Sequence, residues 1–382
     1  VAGEHGLGRA RYGLAVAGGT AAEWAGAFPH NPFQAPVIID MTGDAAQLSA
    51  GLVEGHLDET TELVRLLRLA RLEIDQPDGV DWKREALASL RWQDLSREDL
   101  AMCPPLVLLG SDEMLAGRGL SQLIWLLNSG LPVKVLVLSA LHFGLLEAPT
   151  NDPRGSLGLL ALAQRNAFVA QTSVAKPDHL GDSILQALAF DGPALIQAYA
   201  PSPAQHGFAS NQTVAQAQSA VAARVLPLFR YDPRGEGVFG SRISLDGNPA
   251  CEEALIKLDD SEQFLTPADW ARGQSRFDGQ FEPLGDKAPG PVALHEWLQL
   301  DDIGRVAKTP FIAASDDENE QRYSVSPALA RVSAQCLANW QTLQELAGLV
   351  TPFTAQVEEK IRAEVAAEHQ AELDAQKKAS DE

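Results

Sequence analysis

The chain has 382 residues, of which 45% are hydrophobic and 21% are charged, a composition typical of a globular protein rather than a disordered one. Its formal net charge of −21 argues against nucleic acid and anionic membrane surfaces as partners. No apolar run approaches the roughly 20 residues that span a bilayer, so we expect no membrane insertion. The cysteines, Cys103, Cys251 and Cys336, are few, scattered and odd in number, which favours reduced thiols in the cytoplasm.

The N-terminal part of the chain contains one predicted strand and one long predicted helix. The strand is "GLAVAGG", and the helix is "GDAAQLSAGLVEGHLDETTELVRLLRLARL". In this helix the spacing of Leu63, Leu66, Leu67 and Ala70 places them on one apolar stripe.

Between Leu106 and Ala200, short apolar runs alternate with stretches of helical character. Runs of four to eight apolar residues, each separated by about a dozen helical ones, indicate parallel strands that are buried on both faces. We therefore predict an α/β fold, doubly wound, with a mainly parallel sheet. The predicted strands are Leu106–Leu109, Val133–Leu138, Phe168–Ser173 and Ala194–Tyr199.

After Arg230 the pattern becomes irregular. Residues 235–290 are rich in Gly, Pro, Asp and Ser, which is typical of loops and short elements, whereas residues 326–349 are helical again. The last thirty residues predict a charged helix with Val357, Ile361 and Val365 at near-helical spacing. We accordingly predict an α/β domain at 1–230, a loop-rich wrapping extension at 231–325 and C-terminal helices at 326–382.

The stretch "PPLVLLGSDEMLAGRGLSQLIWLLNSG", from Pro104 to Gly130, predicts a strand, a sharp turn at 110–112 and a helix. An α/β enzyme that binds a diphosphate would hold a metal here with an aspartate and approach the phosphate with glycine backbone. Asp112 could ligate such a metal, but we favour a role as the cap of the following helix. Glu113 stands where a glycine would be most useful, and we interpret it as a second carboxylate of the first helical turn.

Two histidines are predicted at the carboxyl edge of the sheet, where α/β proteins place their ligand sites. His142 follows the strand "VKVLVLS", and His206 lies in "PSPAQHGF" after another strand. Such a pair could bind a small ligand or a metal. The alternative, which we favour, is that both are hydrogen-bonded structural residues.

Several segments, in the same order along the chain, resemble the C-terminal thiamine-diphosphate domain of pyruvate:ferredoxin oxidoreductases. They are "GGTAAEWAGAFPHNPF" (Gly18–Phe33), the Asp112–Gly130 loop and helix, "PALIQAYAP" with "LPLFRYDPR" (ending at Arg234), and "TPADWARGQSRF" (Thr266–Phe277). The resemblance spans nearly the whole chain up to about Phe277. It implies an α/β fold of the thiamine-diphosphate-binding type.

The resemblance also implies a cofactor set and an activity. Members of that family bind thiamine diphosphate through magnesium, hold a [4Fe–4S] cluster on four cysteines, and oxidatively decarboxylate a 2-oxo acid to the acyl-CoA. The family's metal aspartate falls on Asp112, which is retained, and the glycine after it falls on Glu113. The asparagine that provides the next metal ligand falls on or near Leu145, and the adjoining glycine pair falls near Leu146 and Glu147. A leucine cannot ligate magnesium, which takes oxygen donors.

The cluster ligands of the family are absent at the matching positions. The family's cysteines fall on Thr20, on Ser202 and in the stretch Val1–Glu4, and none of these is a cysteine. Without thiolates we expect no cluster. Asp112, Glu113, His142, Leu145 and His206 are therefore interpreted as the lining of a remnant pocket, with no cofactor expected in this chain.

Three functions follow as hypotheses. The first is a degenerate, non-catalytic subunit or domain with a structural role in a larger oxidoreductase assembly, paired with itself or with related subunits. The second is an active 2-oxoacid:acceptor oxidoreductase domain that uses thiamine diphosphate with magnesium. The third is a pocket that now binds another small ligand through His142 and His206.

Overall fold

The computed structural model describes residues 12–26, 35–75, 81–145, 156–258, 263–285, 288–316, 319–350, 353, 356–357, 359–366 and 369. Its largest element is an eight-stranded sheet. The strands of this sheet are β1 (Gly13–Ala17), β2 (Val37–Asp40), β3 (Leu106–Ser111), β4 (Val133–Ser139), β5 (Phe168–Ser173), β6 (Ala194–Tyr199), β7 (Phe229–Tyr231) and β8 (Ile243–Ser244).

The sheet confirms the predicted α/β class and its four central strands. The strand order is β2-β1-β3-β4-β6-β5-β7-β8, and the first six strands are parallel to one another. β7 pairs with β5 antiparallel, and β8 pairs with β7 antiparallel, so the sheet is mixed at one end. The chain reverses direction across the sheet between β2 and β3, which lie on opposite sides of β1. This reversal is a topological switch point of the kind at which α/β proteins bind ligands.

Helices cover both faces of the sheet, which explains why its strands are apolar throughout. They are α1 (Thr20–Gly26), α2 (Ala45–Asp75), α3 (Asp81–Ala88), α4 (Arg97–Leu100), α5 (Leu120–Asn128), α6 (Leu157–Leu162), α7 (Pro177–Leu188), α8 (Pro203–His206) and α9 (Thr213–Ala222). Alternate residues of β1 face opposite sides of the sheet and belong to two different apolar cores. Ala15 and Ala17 belong to the core that contains residues of α2, α5 and α6, whereas Leu14 and Val16 belong to the core that contains α1. The doubly wound arrangement follows from this alternation.

The long helix α2 is present as predicted, but its leucine stripe does not face the sheet. Leu63, Leu66 and Leu67 are 39–50% exposed, whereas Val53, Leu57 and Val64 are buried against the core. The buried face therefore uses a second apolar stripe, offset by about a quarter turn or more from the leucines.

The C-terminal half adds a second, smaller body of structure at the carboxyl edge of the sheet. Its strands are β9 (Ile256–Lys257), β10 (Phe264–Leu265), β11 (Phe281–Pro283), β12 (Pro291–Ala293), β13 (Thr309–Asp316) and β14 (Asn319–Val325). Its helices are α10 (Pro267–Arg272), α11 (Leu294–Trp297), α12 (Asp302–Val306) and α13 (Pro327–Leu346). β11, β14, β13 and β12 form a four-stranded sheet in that order, which the irregular sequence pattern did not predict, whereas α13 confirms the predicted helix after residue 326.

A separate apolar core joins the second body to the first. It contains Leu141 and Tyr199 from the edge of the main sheet, Trp270 and Phe277 from the α10 region, and Leu329 from α13. Short 3₁₀ turns connect the elements, at Trp92–Asp94, Ser210–Gln212, Phe239–Arg242 and Ser275–Gln280. None of the helices in the described ranges combines the length and the apolar character that a membrane span requires.

Candidate functional site

The candidate site lies where β3, β4 and β6 end. Because these strands are parallel and adjacent, their carboxyl ends meet at one edge of the sheet. Asp112 directly follows β3, His142 follows β4 by three residues, and His206 follows β6 at the end of α8. The fold therefore brings the sequence-predicted site residues to the same edge.

Asp112 is a buried carboxylate whose two oxygens both accept hydrogen bonds from backbone amides. Its Oδ1 accepts the N–H of Glu113 at 3.1 Å, and its Oδ2 accepts the N–H of Ala140 at 3.0 Å. Burial raises the pKa of Asp112, and the hydrogen bonds from Ala140 and Glu113 oppose that rise in part. The side chain thus caps the turn after β3, as predicted, and also ties the end of β3 to the end of β4.

The turn after Asp112 is a single π-helical turn, Glu113–Arg118, that passes into α5 at Gly119. The N–H of Gly119 donates to the carbonyl of Met114, five residues earlier, at 3.1 Å. Leu115, which is 2% exposed, folds back onto the strand, and a Cβ added at Gly110 would lie 2.7 Å from its Cδ1. The glycine backbone that a phosphate would approach is therefore covered by a leucine side chain. Glu113 is exposed at the start of the turn.

The loop after β4 has a strained backbone. Leu141 and Phe143 have φ values of 57° and 56°, a left-handed conformation that non-glycine residues rarely adopt. Arg276 holds this loop from the opposite side: its Nη1 donates to His142 Nδ1 at 3.0 Å, and its Nη2 contacts the carbonyl of Leu141 at 3.5 Å. Leu145, at the end of the loop, packs against the second core.

His142 and His206 come together, as their positions on the sheet predicted. Their ring centroids are 6.1 Å apart at an interplanar angle of 85°, and His206 also stacks on Tyr199 at 6.4 Å. Burial and the Arg276 charge lower the pKa of His142 to about 4 and that of His206 to about 3, so both rings are neutral at pH 7.

The hydrogen bonding of the pair restricts what it could bind. A guanidinium can only donate, so Nδ1 of His142 is the acceptor and its Nε2 carries the proton. Neither nitrogen of His142 is then available to a metal in this arrangement. His206 Nδ1 is buried without a hydrogen-bond partner among the described residues. No group of three or more His, Cys, Asp or Glu side chains with metal-binding geometry occurs within the described part of the chain.

A cavity of about 310 Å³ opens beside Asp112, between the edge of the sheet and α13. Asp112 and Leu145 both line it, whereas Glu113, His142 and His206 are not among its described lining residues. Its floor contains two buried carboxamides, Gln171 and Gln197, which are in register on β5 and β6.

Both carboxamides are held by neighbouring groups of the protein. Gln197 donates to Ser139 Oγ at 2.7 Å and accepts the N–H of Gly158 at 3.0 Å, while Gln171 donates to the carbonyl of Pro227 at 2.6 Å. Sequence reasoning missed these two residues and Arg276. The two glutamines could have been found from the sequence, because each is the polar fourth residue of an otherwise largely apolar strand, "FVAQTS" and "ALIQAY".

Of the positions that match the family's cluster cysteines, two are described. Thr20 begins α1, and Ser202 is the residue before α8. The stretch Val1–Glu4, as well as Leu146 and Glu147, lies outside the described residues. None of the chain's own cysteines forms a disulfide within the described residues, and Cys336 is buried in α13.

Comparison with known proteins gives matches to one group of enzymes. The pyruvate-flavodoxin oxidoreductase of Rhodospirillum rubrum is 26% identical over 227 residues, which cover 53% of this chain and 18% of that protein. The pyruvate:ferredoxin oxidoreductase of Moorella thermoacetica is 37% identical over 79 residues, or 20% of this chain and 7% of that protein. A probable pyruvate-flavodoxin oxidoreductase of Escherichia coli is 33% identical over 107 residues, 27% of this chain and 9% of that protein.

The chain thus matches less than a fifth of the length of each of these relatives. A solved structure of 2-oxoglutarate:ferredoxin oxidoreductase from Magnetococcus marinus, with 2-oxoglutarate, coenzyme A and succinyl-CoA bound, aligns with a TM-score of 0.32 and 13% identity over 52% of this chain and 57% of that one. No model of a known protein family matches the chain. The sequence matches confirm the resemblance seen in the motifs: over about half of its length, this chain is similar to the pyruvate:ferredoxin and pyruvate-flavodoxin oxidoreductases.

Proposed function

We propose that the chain is a degenerate relative of the 2-oxoacid:acceptor oxidoreductases, a subunit or domain without its own thiamine diphosphate or iron–sulfur cluster that serves assembly in a larger cytoplasmic complex. Its partners would be a second copy or related oxidoreductase subunits. The observation that carries the proposal is that Asp112, the one retained residue of the family's metal site, has a structural role that needs no metal. Its carboxylate oxygens each accept a backbone N–H group and so tie the end of β3 to the end of β4.

The residues around Asp112 also support the proposal that the chain lacks its own thiamine diphosphate. A magnesium ion takes about six oxygen donors in near-octahedral geometry. Leu145 offers no oxygen from its side chain, Glu113 adds a negative charge where a diphosphate would approach, and Leu115 covers Gly110. These residues fit a packed turn better than they fit a metal–diphosphate site.

The test is a calorimetric titration of the purified chain with thiamine diphosphate and magnesium. We expect no saturable heat up to millimolar ligand, and a micromolar dissociation constant would contradict the proposal. A matched double variant, Glu113→Gly with Leu145→Asn, restores the family's residue types at two positions. Because Leu115 still covers Gly110 in this variant, we expect at most weak binding. Stoichiometric iron and sulfide in the isolated chain would equally contradict the proposal.

The second candidate function is an active thiamine-dependent domain that oxidatively decarboxylates a 2-oxo acid to the acyl-CoA. Retention of Asp112 is the observation that favours it. It predicts coenzyme A-dependent release of carbon dioxide from pyruvate or 2-oxoglutarate when thiamine diphosphate, magnesium and an artificial electron acceptor are added. If the chain is instead a degenerate, non-catalytic relative, the rate of carbon dioxide release should equal that of the same mixture without protein.

The assembly role is tested by light scattering of the chain alone and mixed with candidate oxidoreductase subunits. We expect a mass above that of the single chain of 40.9 kDa in at least one of these samples. A monomer in every mixture would remove the support for an assembly function.

A further inference from the structure

A second concave surface lies along an adjacent face of α13, and Arg331 and Gln335 line both this surface and the cavity beside Asp112. This surface, which we call the α13 groove, has a volume of about 1240 Å³. Its apolar lining comes from Leu255, Phe264, Trp297, Leu298, Leu337 and Ala338. A groove of this kind, with one helix as a wall and aromatic side chains opposite, is suited to an amphipathic helix.

The described charged residues that line the groove are mostly positive. Lys257, Arg305 and Arg331 line it together with one described acidic residue, Glu253. The groove is therefore complementary to a helix that carries excess acidic residues.

The C-terminal segment of the chain has the matching properties. Phe353, Val357, Ile361 and Val365 recur every four residues and are 51–63% exposed. The N–H of Val357 donates to the carbonyl of Phe353 at 2.9 Å, and residues 359–366 are helical. From residue 356 to residue 374 the sequence contains six acidic and two basic side chains. The described part of this segment is helical with exposed apolar side chains, and the sequence of the segment is acidic overall.

The end of α13 directs the chain back toward the groove. Gly348, with φ +75°, donates its N–H to the carbonyl of Glu345 at 3.1 Å, and Leu349 donates to Gln344 at 2.9 Å. These two bonds form a Schellman motif, which ends the helix and turns the chain away from its axis. A connection of about six residues, from 347 to 352, is within the range that joins antiparallel helix pairs.

The same end of α13 is fixed to the groove wall. Trp340 Nε1 donates to the carbonyl of Glu253 at 2.8 Å, and Gln344 Nε2 donates to the carbonyl of Cys251 at 2.7 Å. The groove therefore begins close to the point from which the C-terminal segment leaves α13. A tethered helix is present at an effective concentration on the order of millimolar, well above that of a free partner.

We propose that the α13 groove is the docking site of the chain's own C-terminal segment, whose apolar residues from Phe353 to Val365 pack antiparallel to α13. In this arrangement Ile361 lies opposite Leu337 and Ala338, Val357 lies near Gln341, and Val365 lies near Ala334. The proposal is independent of whether the edge of the main sheet binds a cofactor.

The test is disulfide formation in the full chain between Ala338→Cys and Ile361→Cys. The matched control pairs Ile361→Cys with Asn339→Cys, because Asn339 is the next residue of α13 but lines the cavity beside Asp112 instead of the groove. All three native cysteines remain in both variants, so their background reactions cancel. Under mild oxidation at low micromolar protein, we expect the 338–361 disulfide within single chains to form at least about ten times faster than the 339–361 one.

A second variant tests whether the apolar stripe drives docking. Adding Val357→Asp and Val365→Asp to the 338–361 pair should lower its rate of disulfide formation to that of the control. Hydrogen exchange of residues 334–341 should rise in the same aspartate variant without the cysteines. Equal rates for the two cysteine pairs, or disulfides that form only between chains in proportion to concentration, would overturn the proposal.

Discussion

At the scale of single residues, several polar atoms of the candidate site already form hydrogen bonds within the protein. The oxygens of Asp112 bond to the backbone of β4 and of the turn after β3, and Nδ1 of His142 bonds to Arg276. A metal at Nδ1 of His142 would have to displace its bond, whereas each oxygen of Asp112 keeps a second lone pair. Buried groups that are fully hydrogen-bonded within the protein stabilise the fold, and their loss should be measurable as stability.

Replacement of Asp112 should destabilise the protein whether or not a cofactor binds. Asp112→Ala leaves the partly buried N–H of Ala140 without an acceptor and removes the cap of the turn, so we expect a loss of about 2–3 kcal/mol in the free energy of unfolding. Glu113→Gln, at the exposed neighbouring position, should change it by less than about 0.5 kcal/mol. Urea denaturation measures both variants. Equal effects at the two positions would argue against a structural role of Asp112.

The buried histidines make stability depend on pH. Burial lowers the pKa of His206 in the folded protein to about 3, below the unfolded value of about 6.5. The unfolded chain therefore binds the proton first, and stability falls as the pH decreases below about 6.5.

We expect His206→Phe to reduce the loss of stability between pH 7 and pH 5 by about 2 kcal/mol, the free energy that corresponds to 1.5 pH units. Urea denaturation at the two pH values measures this difference. His369→Phe, at an exposed position, is the control and should leave the difference unchanged. An unchanged difference in the His206 variant would mean that this imidazole is protonated in the folded state.

At the scale of elements, α13 joins the two bodies of the molecule, and a buried arginine anchors the loop beside it. Arg224 is 0% exposed and stacks over the ring of Trp340 at 4.3 Å. Its Nη2 donates to the carbonyls of Ala250 at 2.7 Å and Glu253 at 3.1 Å. Burial lowers the pKa of Arg224 to about 10, so the guanidinium remains charged at neutral pH.

Arg224→Lys should therefore be strongly destabilising although it keeps the charge. An ammonium group cannot reproduce the planar fork that bonds two carbonyls while it stacks on an indole, so we expect a loss of about 2–4 kcal/mol in the free energy of unfolding. Arg322→Lys is the control, since Arg322 is exposed and stacks over Phe311 at 5.0 Å. Cys251 should also react faster with a thiol reagent in the Arg224 variant, because the 250–254 loop loses its anchor. Comparable stability losses in the two variants would contradict this role.

At the scale of the whole molecule, negative charge dominates. The chain has 51 acidic and 30 basic residues, and many of the ion pairs in the described structure have exposed side chains that contribute little individually. Repulsion among the remaining carboxylates is stronger in the compact folded state than in the expanded unfolded state.

Added salt should therefore stabilise the folded chain. When the ionic strength rises from about 0.01 M to about 0.15 M, the Debye length shortens from about 30 Å to about 8 Å, and most surface repulsion is screened. We expect the thermal unfolding midpoint to rise by several degrees, with the same change in fluoride and chloride salts. A midpoint that falls with salt would show that attractive ion pairs outweigh the net charge.

The sequence alone determined five strands of the main sheet, β1 and β3 to β6, because apolar runs of strand length separated by helical spacing depend only on local burial. It also determined the role of Asp112 as a cap, since a carboxylate directly before a helical turn satisfies local amides. The family resemblance was also visible from the sequence alone, because it rests on four short segments of contiguous residues.

The tertiary structure decided what brings distant residues together. β6 lies between β4 and β5, and this strand order places Gln171 beside Gln197 and His206 beside His142. Arg276 reaches His142 across 134 residues of chain, and the leucine stripe of α2 is exposed because a second stripe packs on the sheet. The four-stranded sheet between β11 and β14 has two strands of only three residues, too short to produce a periodic pattern. Such contacts depend on how elements that are distant in the sequence pack against one another, and local sequence patterns do not predict that packing.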